Sequence, residues 1–217
     1  MRTGVLALIM PAPSGPMWEQ RYGGAAYFYG TEPNDFLRAS LPQLPAGEAL
    51  CLAEGEGRNA VFLAESGYAV SCVDLAEAGV RKTRLLAQQK GVDVAAFVGD
   101  LAVFDLGHER WDLVVSIFAH MPPAVRRDLH ARVVSSLRPG GMFLLEAYTP
   151  DQLAHGTGGP ASADLTMTLA QLREELAPLE MLHGVEVERE VREGSGHSGL
   201  GAVVQVIARK RPLAAAD

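Results

Sequence analysis

One stretch, residues 50–64, limits most strongly what this chain can fold into. It reads L-C-L-A-E-G-E-G-R-N-A-V-F-L-A. Its apolar start has the length of a buried strand, and Gly55 and Gly57 then allow a sharp turn because neither carries a Cβ. From Arg58 onward, apolar side chains follow a helical spacing until Gly67, where a helix would end. A strand, a glycine turn and a helix in this order direct free backbone N–H groups at a ligand above the strand end.

A second apolar strand follows over residues 68–73 and ends at Asp74. Asp74 comes about 20 residues after Gly55, which is the spacing that places a carboxylate against a ribose diol. The unit therefore predicts a nucleoside-cofactor site. It lacks the complete G-x-G-x-x-G that favours a dinucleotide, and an ordinary strand–helix turn without a ligand is the alternative interpretation at this point.

The composition indicates one globular domain without nucleic acid as a partner. The 217 residues are 48% hydrophobic and 21% charged, which is enough for a substantial core and is typical of globular chains. The formal net charge of −7 repels phosphate backbones. We expect a small-molecule partner and no membrane, since no apolar run approaches the ~18 residues of a membrane span.

The two cysteines, Cys51 and Cys72, both fall inside predicted strands. Their spacing suggests neither a disulfide framework nor a zinc site, and we expect no metal. Two buried free thiols are typical of a reducing compartment, so the expected localisation is cytoplasmic.

The two ends of the chain need a separate interpretation. Residues 1–16 contain one early charge and a short apolar run, a faint likeness to a signal peptide, but prolines follow at once. We interpret them as a disordered leader, or as sequence upstream of a natural start at Met17. Residues 17–211 are then a single domain, and residues 212–217 are a tail.

The rest of the chain alternates strands and helices. Helices are predicted over 76–91 and 122–137, a turn over 138–141, and strands over 92–98, 111–117 and 142–147. After a predicted helix over 165–176, segments 181–191 and 201–208 alternate like the strands of a hairpin joined across residues 192–199. The predicted fold is α/β: a Rossmann-like seven-stranded sheet, mostly parallel, with a C-terminal antiparallel hairpin at its edge and helices on both faces.

Aromatic residues are concentrated before the first strand. Five of the twelve Tyr and Phe residues lie between Tyr22 and Phe36, and Asn34 can cap a short helix that ends before Pro42. This segment either folds over a ligand as a lid or packs against the edge of the sheet.

Five short motifs accompany these elements: Y-G-T-E-P-N at 29–34, G-E-G-R-N at 55–59, G-Y with V-D at 67–68 and 73–74, L-R-P-G-G at 137–141, and T-G-G-P at 157–160. With them, the chain from about residue 18 to 209 resembles the class I S-adenosylmethionine (SAM)-dependent methyltransferases. It is most similar to the small bacterial enzymes grouped with tellurite-resistance and thiopurine methyltransferases. The L-R-P-G-G turn is frequent across that superfamily, whereas the G-E-G-R-N turn is narrower.

The resemblance implies SAM as the cofactor and S-adenosylhomocysteine (SAH) as its product. The cofactor-binding residues that it implies are Tyr29, Ala53, Glu54, Gly55, Glu56, Gly57, Asn59, Asp74, Leu75, Asp100, Leu101 and Ser116. Residues 53–57 would cradle the methionine and ribose, and Asp74 would bind the ribose hydroxyls. Asp100 and Leu101 would contact the adenine, and Ser116 would line the sulfonium end.

One departure from the family concerns its acidic residue. The family often has an acid at the position of Cys51 and a glycine at that of Ala53. Here the acids are Glu54 and Glu56, and we expect one of them to take part of the role of pairing with the methionine ammonium. The alternative is that both are solvent-facing loop acids.

The implied activity is methyl transfer from SAM to a small-molecule acceptor, with a thiol or a chalcogen species as candidates. This in-line displacement has a neutral leaving group, so alignment and exclusion of water are the main requirements. A soft anion needs no general base, whereas a hydroxyl or a protonated amine does. His120 is the candidate base, with a capping or buried histidine as the alternative, and His155 and His197 lie in loops that could flank the acceptor.

Other functions stay open. The main alternative is a non-catalytic SAM-binding or regulatory module. A nicotinamide-dependent oxidoreductase is disfavoured by the incomplete glycine fingerprint and by the antiparallel edge. A protein or RNA methyltransferase is disfavoured by the acidic charge.

Overall fold

A seven-stranded sheet runs through the part of the chain that the structure, a computed structural model, describes: residues 15–212. In chain order the strands are β1 (Glu48–Leu52), β2 (Ala69–Asp74), β3 (Val94–Val98), β4 (Trp111–Ile117), β5 (Leu137–Tyr148), β6 (Glu180–Glu193) and β7 (His197–Arg209). The α-helices of this part are α1 (Gly15–Tyr22), α2 (Asp35–Ser40), α3 (Arg58–Glu65), α4 (Glu77–Lys90), α5 (Pro123–Ser136) and α6 (Leu169–Glu175). Short 3₁₀ turns lie at 41–43, 150–154 and 163–165.

The strand order is β3-β2-β1-β4-β5-β7-β6. β1 pairs in parallel with β2 and β4, so that Cys51 lies opposite Cys72 on one side and Val115 on the other. β7 runs antiparallel to both of its neighbours, β5 and β6. The chain builds outward from β1 through β2 and β3 and then returns to β4 on the other side, so the direction of winding reverses between β1 and β4.

Helices cover both faces of the sheet, because alternate side chains of the central strands enter two different apolar clusters. The first cluster contains Leu50 and Leu52 of β1 and Val114 of β4. The second contains Ala49 and Cys51 of β1 and Leu113 and Val115 of β4. Side chains of α5 and α6 pack in the first cluster, and side chains of α2, α3 and α4 pack in the second. Burial on both faces is the reason that these strands read as continuous apolar runs. The predicted fold class is confirmed.

The predicted turn at 138–141 is instead an irregularity within β5. Trp111 pairs with Leu137, but Leu113 pairs with Met142, so β5 carries extra residues against β4. Gly140 has φ 86°, a left-handed conformation that glycine takes without strain. The strand therefore begins earlier than the apolar run alone indicates.

Two other predicted boundaries also differ. The helix predicted over 165–176 is limited to Leu169–Glu175, because Thr168 and Gln171 form a capping box that fixes its start. The hairpin connection predicted over 192–199 is only residues 194–196, since β6 and β7 stay paired up to Glu193 and His197. Polar and glycine residues at the end of the hairpin are typical of a loop, so the sequence pattern does not indicate that the two strands continue there.

The predicted leader and tail lie mostly outside the described residues. Gly15 and Pro16 begin α1, and residues 1–14 and 213–217 are not described. Both cysteines are buried and free. Within residues 15–212, no helix is both long and apolar enough to cross a membrane.

Candidate functional site

The candidate site lies at the carboxyl ends of β1, β2 and β4. In a parallel sheet a ligand crevice opens at this edge where the winding reverses, and here the reversal lies between β1 and β4. Ala53 follows β1, Asp74 ends β2 and Phe118 follows β4. The predicted glycine turn therefore lies at the crevice.

The glycine turn has left-handed backbone at alternate positions. The angle φ is 49° at Ala53, 68° at Gly55 and 97° at Gly57. An alanine in this conformation costs about 1–2 kcal/mol, which gives a physical reason for the glycine that the resembling family often has at the position of Ala53. A Cβ on Gly57 would lie 2.7 Å from the Cα of Thr83, so glycine allows the turn to pack directly on α4.

Asp74 holds the turn in place. One carboxylate oxygen accepts the N–H of Gly55 and the other accepts the N–H of Ala76, each at 2.8 Å. Burial raises the pKa of Asp74, and these backbone N–H groups oppose the rise. Each oxygen keeps a further lone pair, so the carboxylate can hold the turn and still accept a hydrogen bond from a ligand hydroxyl.

Glu54 caps α3. Its Oε1 accepts the N–H groups of Asn59 and Ala60, each at 2.8 Å. Burial raises the pKa of Glu54 to about 7, although the two N–H groups and the charge of Arg58 lower it. The carboxyl group is therefore partly protonated at neutral pH and has its partners within the chain.

Glu56 joins the turn to the aromatic segment. Its Oε1 lies 2.6 Å from Nζ of Lys82 on α4, and its Oε2 accepts the N–H of Phe28 at 2.7 Å. Glu54 and Glu56 are both buried, so the interpretation of the two as solvent-facing acids is wrong. Both have partners inside the protein, and the geometry therefore lends no support to a free acid for the methionine ammonium.

Asn59 connects α3 to the segment that precedes β1. Its Oδ1 accepts the N–H of Asn34 at 2.9 Å. Asn34 itself caps α2 through the N–H of Leu37, and its amide donates to Glu146 at 2.6 Å and to Glu193 at 2.9 Å. The Y-G-T-E-P-N motif is thus tied to β5 and to the end of the hairpin.

Residues 27–30, which we call the aromatic lid, are held between the glycine turn and the tip of the hairpin. Glu56 binds the lid from the turn, and the N–H of Ser195 donates to the carbonyl oxygen of Phe28 at 2.8 Å from the hairpin. Tyr22 of α1 lies beside the lid, and a Cβ on Gly55 would come 2.9 Å from its hydroxyl oxygen. The segment covers the glycine turn, which agrees with the lid interpretation.

The other predicted cofactor residues lie along the same edge of the sheet. Ser116 is buried in β4 and Leu101 is buried just after β3, whereas Leu75 and Asp100 are exposed. Asp100 accepts the N–H of Ala102 at 2.9 Å and so closes a local turn. The structure brings these residues to one edge, and their contact with a ligand stays a prediction.

Beyond the ends of β4 and β5 lies an aromatic–histidine cluster, which we define as Tyr29, Phe118, His120, Tyr148 and His197. The rings of Phe118 and Tyr148 stack with centroids 4.6 Å apart, and the rings of His120 and Tyr148 stack at 5.7 Å. The ring of His197 lies 4.7 Å from that of Tyr29 and 4.8 Å from that of Phe118. Because Tyr29 belongs to the aromatic lid, this cluster adjoins the cover of the glycine turn.

His120, the predicted base, has surroundings that disfavour a proton. Its Nδ1 lies 2.9 Å from the carbonyl oxygen of Leu165, and a carbonyl only accepts, so Nδ1 carries the hydrogen. Burial lowers the pKa of His120 to about 4 despite that hydrogen bond. Its Nε2 is buried without a hydrogen-bond partner among the described residues. His120 is therefore a neutral acceptor at pH 7.

His197 has a charged partner instead. It is buried, and its Nδ1 lies 3.0 Å from Oε2 of Glu193, which also accepts from Arg58 at 2.7 Å. Burial alone would raise the pKa of Glu193, but hydrogen bonds and charge from His197, Arg58 and Asn34 outweigh it and lower the pKa to about 2. The carboxylate beside His197 is thus ionised over the whole neutral range.

Sequence reasoning missed Phe118, Tyr148 and Glu193 as site residues. Phe118 and Tyr148 could have been found, since each lies at the end of a predicted strand on the same edge of the sheet. Glu193 could not, because its position beside His197 depends on the hairpin register. His155 pairs with Glu188, with 3.1 Å between Nε2 and Oε1, and is not part of the cluster.

The residues at the crevice fit a nucleoside cofactor. Asp74 offers acceptor capacity for hydroxyl groups, and the absence of a side chain on Gly55 lets Tyr22 pack directly on the turn, where a Cβ would lie 2.9 Å from its hydroxyl oxygen. Among residues 15–212, no group of three or more His, Cys, Asp or Glu side chains could hold a metal ion.

Comparison with known proteins gives one family match. Residues 49–141 match a family model described as a methyltransferase domain. The matched segment contains β1, the glycine turn, Asp74 and β4, which together form most of the crevice. No curated protein matches the sequence.

Several solved structures have the same fold. One, described by the words "Conversion of a Disulfide Bond into a Thioacetal Group during Echinomycin Biosynthesis", has a TM-score of 0.73 and 19% identity over 91% of this chain and 89% of that chain. TehB from Haemophilus influenzae has a TM-score of 0.67 and 20% identity over 91% and 67% of the two chains. A SAM-dependent methyltransferase from Methanosarcina mazei has a TM-score of 0.64 and 19% identity over 84% and 100%. The resemblance to a methyltransferase is confirmed by the domain matched over residues 49–141, and the solved structures show the same fold.

Proposed function

We propose that this chain, of which residues 49–141 match a methyltransferase domain, transfers the methyl group of SAM to a small-molecule acceptor. The observation that carries the proposal is the position of the glycine turn and Asp74 at the winding reversal. The aromatic–histidine cluster lies directly beside them, with Tyr148 and His197 buried and the other three side chains partly buried, and it suits an acceptor site. A cofactor crevice and an adjoining acceptor site that share the aromatic lid are what a two-substrate transfer requires.

The cofactor would be held by the glycine turn and by Asp74. When bound, SAM supplies an electrophilic methyl group on a sulfonium. Asp74 would accept a hydrogen bond from a ribose hydroxyl through its spare lone pairs. The ring faces of Tyr29 and Phe118 lie at the same crevice, and such faces attract a cation.

The contribution of the chain to the chemistry is positioning and exclusion of water. The sulfur that departs is neutral, so no acid has to protonate it. The aromatic lid is fixed at Phe28, whose N–H donates to Glu56 and whose carbonyl oxygen accepts the N–H of Ser195. Tyr148 and His197 of the cluster are buried. Holding two reactants in line in such a site is worth up to about 7–11 kcal/mol of the barrier.

We assign the acceptor to the small thiols or chalcogen species. The rings of the cluster pack on one another with centroids 4.6–5.7 Å apart, and such a compact aromatic surface suits a small molecule better than a folded macromolecule. The net charge of −7 disfavours a nucleic-acid acceptor. The relative described for the conversion of a disulfide into a thioacetal acts on sulfur, which supports testing thiols first.

Calorimetric titration of the full chain with SAM and with SAH tests the cofactor site. We expect both to bind, and we expect Asp74→Ala to weaken both at least tenfold, about the effect of one buried hydrogen bond to a charged group. Asp105→Asn is the control, since Asp105 also accepts a backbone N–H in a local turn but is exposed and is not among the predicted cofactor residues. Unfolding curves of both variants show whether Asp74→Ala has lost the turn as well as the ligand.

Transfer is then measured with isotopically labelled methyl SAM and a panel of thiols, selenite and tellurite. Labelled product from any member supports the proposal. Absence of SAM and SAH binding contradicts it. Binding of both without transfer to any acceptor favours the non-catalytic module.

A further inference from the structure

The hairpin places a histidine and a carboxylate face to face in the cluster. Glu193 and His197 are the last register pair of β6 and β7, and the distance from Oε2 to Nδ1 is 3.0 Å. An ionised carboxylate only accepts hydrogen bonds, so Nδ1 carries the hydrogen. In the neutral imidazole the lone pair is therefore on Nε2, which is the nitrogen available to a ligand.

Glu193 is itself rigidly held. Arg58 donates to its Oε2 at 2.7 Å, and Asn34 donates to its Oε1 at 2.9 Å. The guanidinium of Arg58 is buried with it. A fixed, ionised carboxylate on Nδ1 sets the tautomer of the imidazole and stabilises the imidazolium that forms when Nε2 takes a proton. The Nδ1 of His120 faces the uncharged carbonyl of Leu165 and not a carboxylate, so a protonated His120 would lack this stabilisation.

The two histidines also limit the kind of ligand that the cluster accepts. Both present an Nε2 lone pair, which attracts a hydrogen-bond donor and repels an anion. Arg58, the cation nearest to them through Glu193, is already paired. The ring faces of Tyr29, Phe118 and Tyr148 complete the surroundings. An oxyanion would meet two imidazole acceptors here, and the cation that contacts the cluster, Arg21, already donates to the hydroxyl of Tyr29 at 3.3 Å.

We infer, on the basis of the proposed function, that the acceptor enters as an uncharged O–H or S–H compound with an aromatic body, that His197 is its general base, and that Glu193 positions His197. In the transfer the O–H or S–H bond breaks and its proton goes to Nε2 of His197. The electron pair left on oxygen or sulfur forms the bond to the methyl carbon. The bond from that carbon to the sulfonium breaks, and its electron pair stays on sulfur as a neutral thioether.

This assignment moves the base from His120 to His197. His120 then accepts a hydrogen bond and orients the acceptor without holding its proton. Because the acceptor is uncharged until it reacts, the inference narrows the proposed acceptors to the thiols, extends them to phenols and excludes the chalcogen oxyanions.

The first experiment measures the ¹⁵N NMR signals of the histidine imidazoles, which report their tautomers and their contacts with a ligand. In full-length protein with ¹⁵N-labelled histidine and SAH present, the His197 signals are identified by their loss in His197→Asn. We expect the Nδ1–H tautomer, and a shift of the Nε2 signal on addition of phenol or of benzyl mercaptan but not of selenite. Shifts with phenol alone or with benzyl mercaptan alone distinguish an oxygen from a sulfur acceptor.

Two variants separate positioning from simple structural support. Glu193→Gln should convert part of His197 to the other tautomer and weaken binding of the neutral probe about tenfold, without moving the signals of His120. His155→Asn is the matched control, because His155 pairs with a glutamate outside the cluster and should leave both readouts unchanged. For any acceptor that turns over, we expect His197→Asn to lower kcat by about 10²–10⁴-fold.

Several results would overturn the inference. They are a response of His197 to selenite and not to the neutral probes, no response to any neutral probe, or full turnover in His197→Asn. Calorimetry separates these from a failure of the proposed function, since absent SAH binding contradicts the cofactor site whatever the histidine signals show.

Discussion

The amide nitrogen of Asn34 lies 2.6 Å from a carboxylate oxygen of Glu146, although 112 residues separate the two in the chain. Both side chains are fully buried. The same nitrogen donates to Glu193, and the two carboxylates have Arg189 and Arg58 as their respective cations. One amide thus donates to the carboxylates of two buried ion pairs and reduces the repulsion between these two negative charges.

Replacing Asn34 by aspartate would set a third carboxyl group against Glu146 and Glu193 and remove both donors. We expect Asn34→Asp to lower the free energy of unfolding by about 3–5 kcal/mol at pH 7, the cost of an uncompensated buried charge. Urea unfolding measures the change. The neighbouring exposed Asp35→Asn is the control and should stay within about 0.5 kcal/mol; equal losses in the two variants would refute the bridging role.

Ala53 has φ 49°, so its Cβ is strained by about 1–2 kcal/mol. Glycine removes that strain, but it also raises the conformational entropy of the unfolded chain, which lowers the free energy of unfolding by about 0.4–1 kcal/mol. We therefore expect Ala53→Gly to be neutral or to stabilise the protein by about 0.5–1 kcal/mol in urea unfolding. Ala49→Gly, in the buried strand β1, should instead destabilise it by at least about 0.5–1 kcal/mol. Destabilisation of similar size by both substitutions would contradict the strain.

Glu54 has a folded-state pKa of about 7 against an ordinary value of 4.5. The folded protein therefore binds more protons than the unfolded chain in this interval, and stability should fall as the pH rises from about 4.5 to above 7. Over this interval, ionisation of this one group lowers the free energy of unfolding by an amount on the order of 3 kcal/mol.

The Glu54→Gln variant tests that slope, because an amide oxygen can still accept the N–H groups of Asn59 and Ala60. We expect unfolding free energies measured between pH 4.5 and 8 to depend less on pH in Glu54→Gln than in the wild type. Glu65→Gln, a partly exposed acid at the end of α3, is the control and should keep the wild-type slope. The same slope in all three proteins would show that Glu54 is ionised throughout.

Gly196 allows the hairpin tip to lie against the aromatic lid, since a Cβ there would overlap the rings of Tyr29 and Phe28. We expect Gly196→Ala to lower stability by about 1–3 kcal/mol, as overpacking does, and to speed hydrogen exchange at the N–H of Phe28, which binds Glu56. Gly24→Ala meets no atom within 4 Å and should change neither quantity. Unchanged exchange in Gly196→Ala would mean that the tip does not hold the lid.

The sequence predicts the order of strands and helices and the relation between Gly55 and Asp74, because apolar runs, glycine turns and strand ends are local features. The partners of Glu54 and Glu56 could not be predicted. Glu56 meets Lys82 only when α4 packs on the turn.

The pair of Glu193 and His197 likewise depends on non-local structure. A slip of one residue in the hairpin would turn one of these side chains to the other face. The candidate base shifted from His120 to His197 for this reason: the sequence shows which histidines follow strands, but not which one meets a carboxylate.

The hydrogen bond from Ser195 to Phe28 joins residues 167 positions apart. A ribosome releases the lid and the glycine turn first, long before His197 and the last strand. β7 is also the strand that connects β5 to β6, so the sheet and the aromatic–histidine cluster are completed by the same segment. A nascent chain can therefore fold its glycine turn early, but it gains a complete site only after β7 has been made.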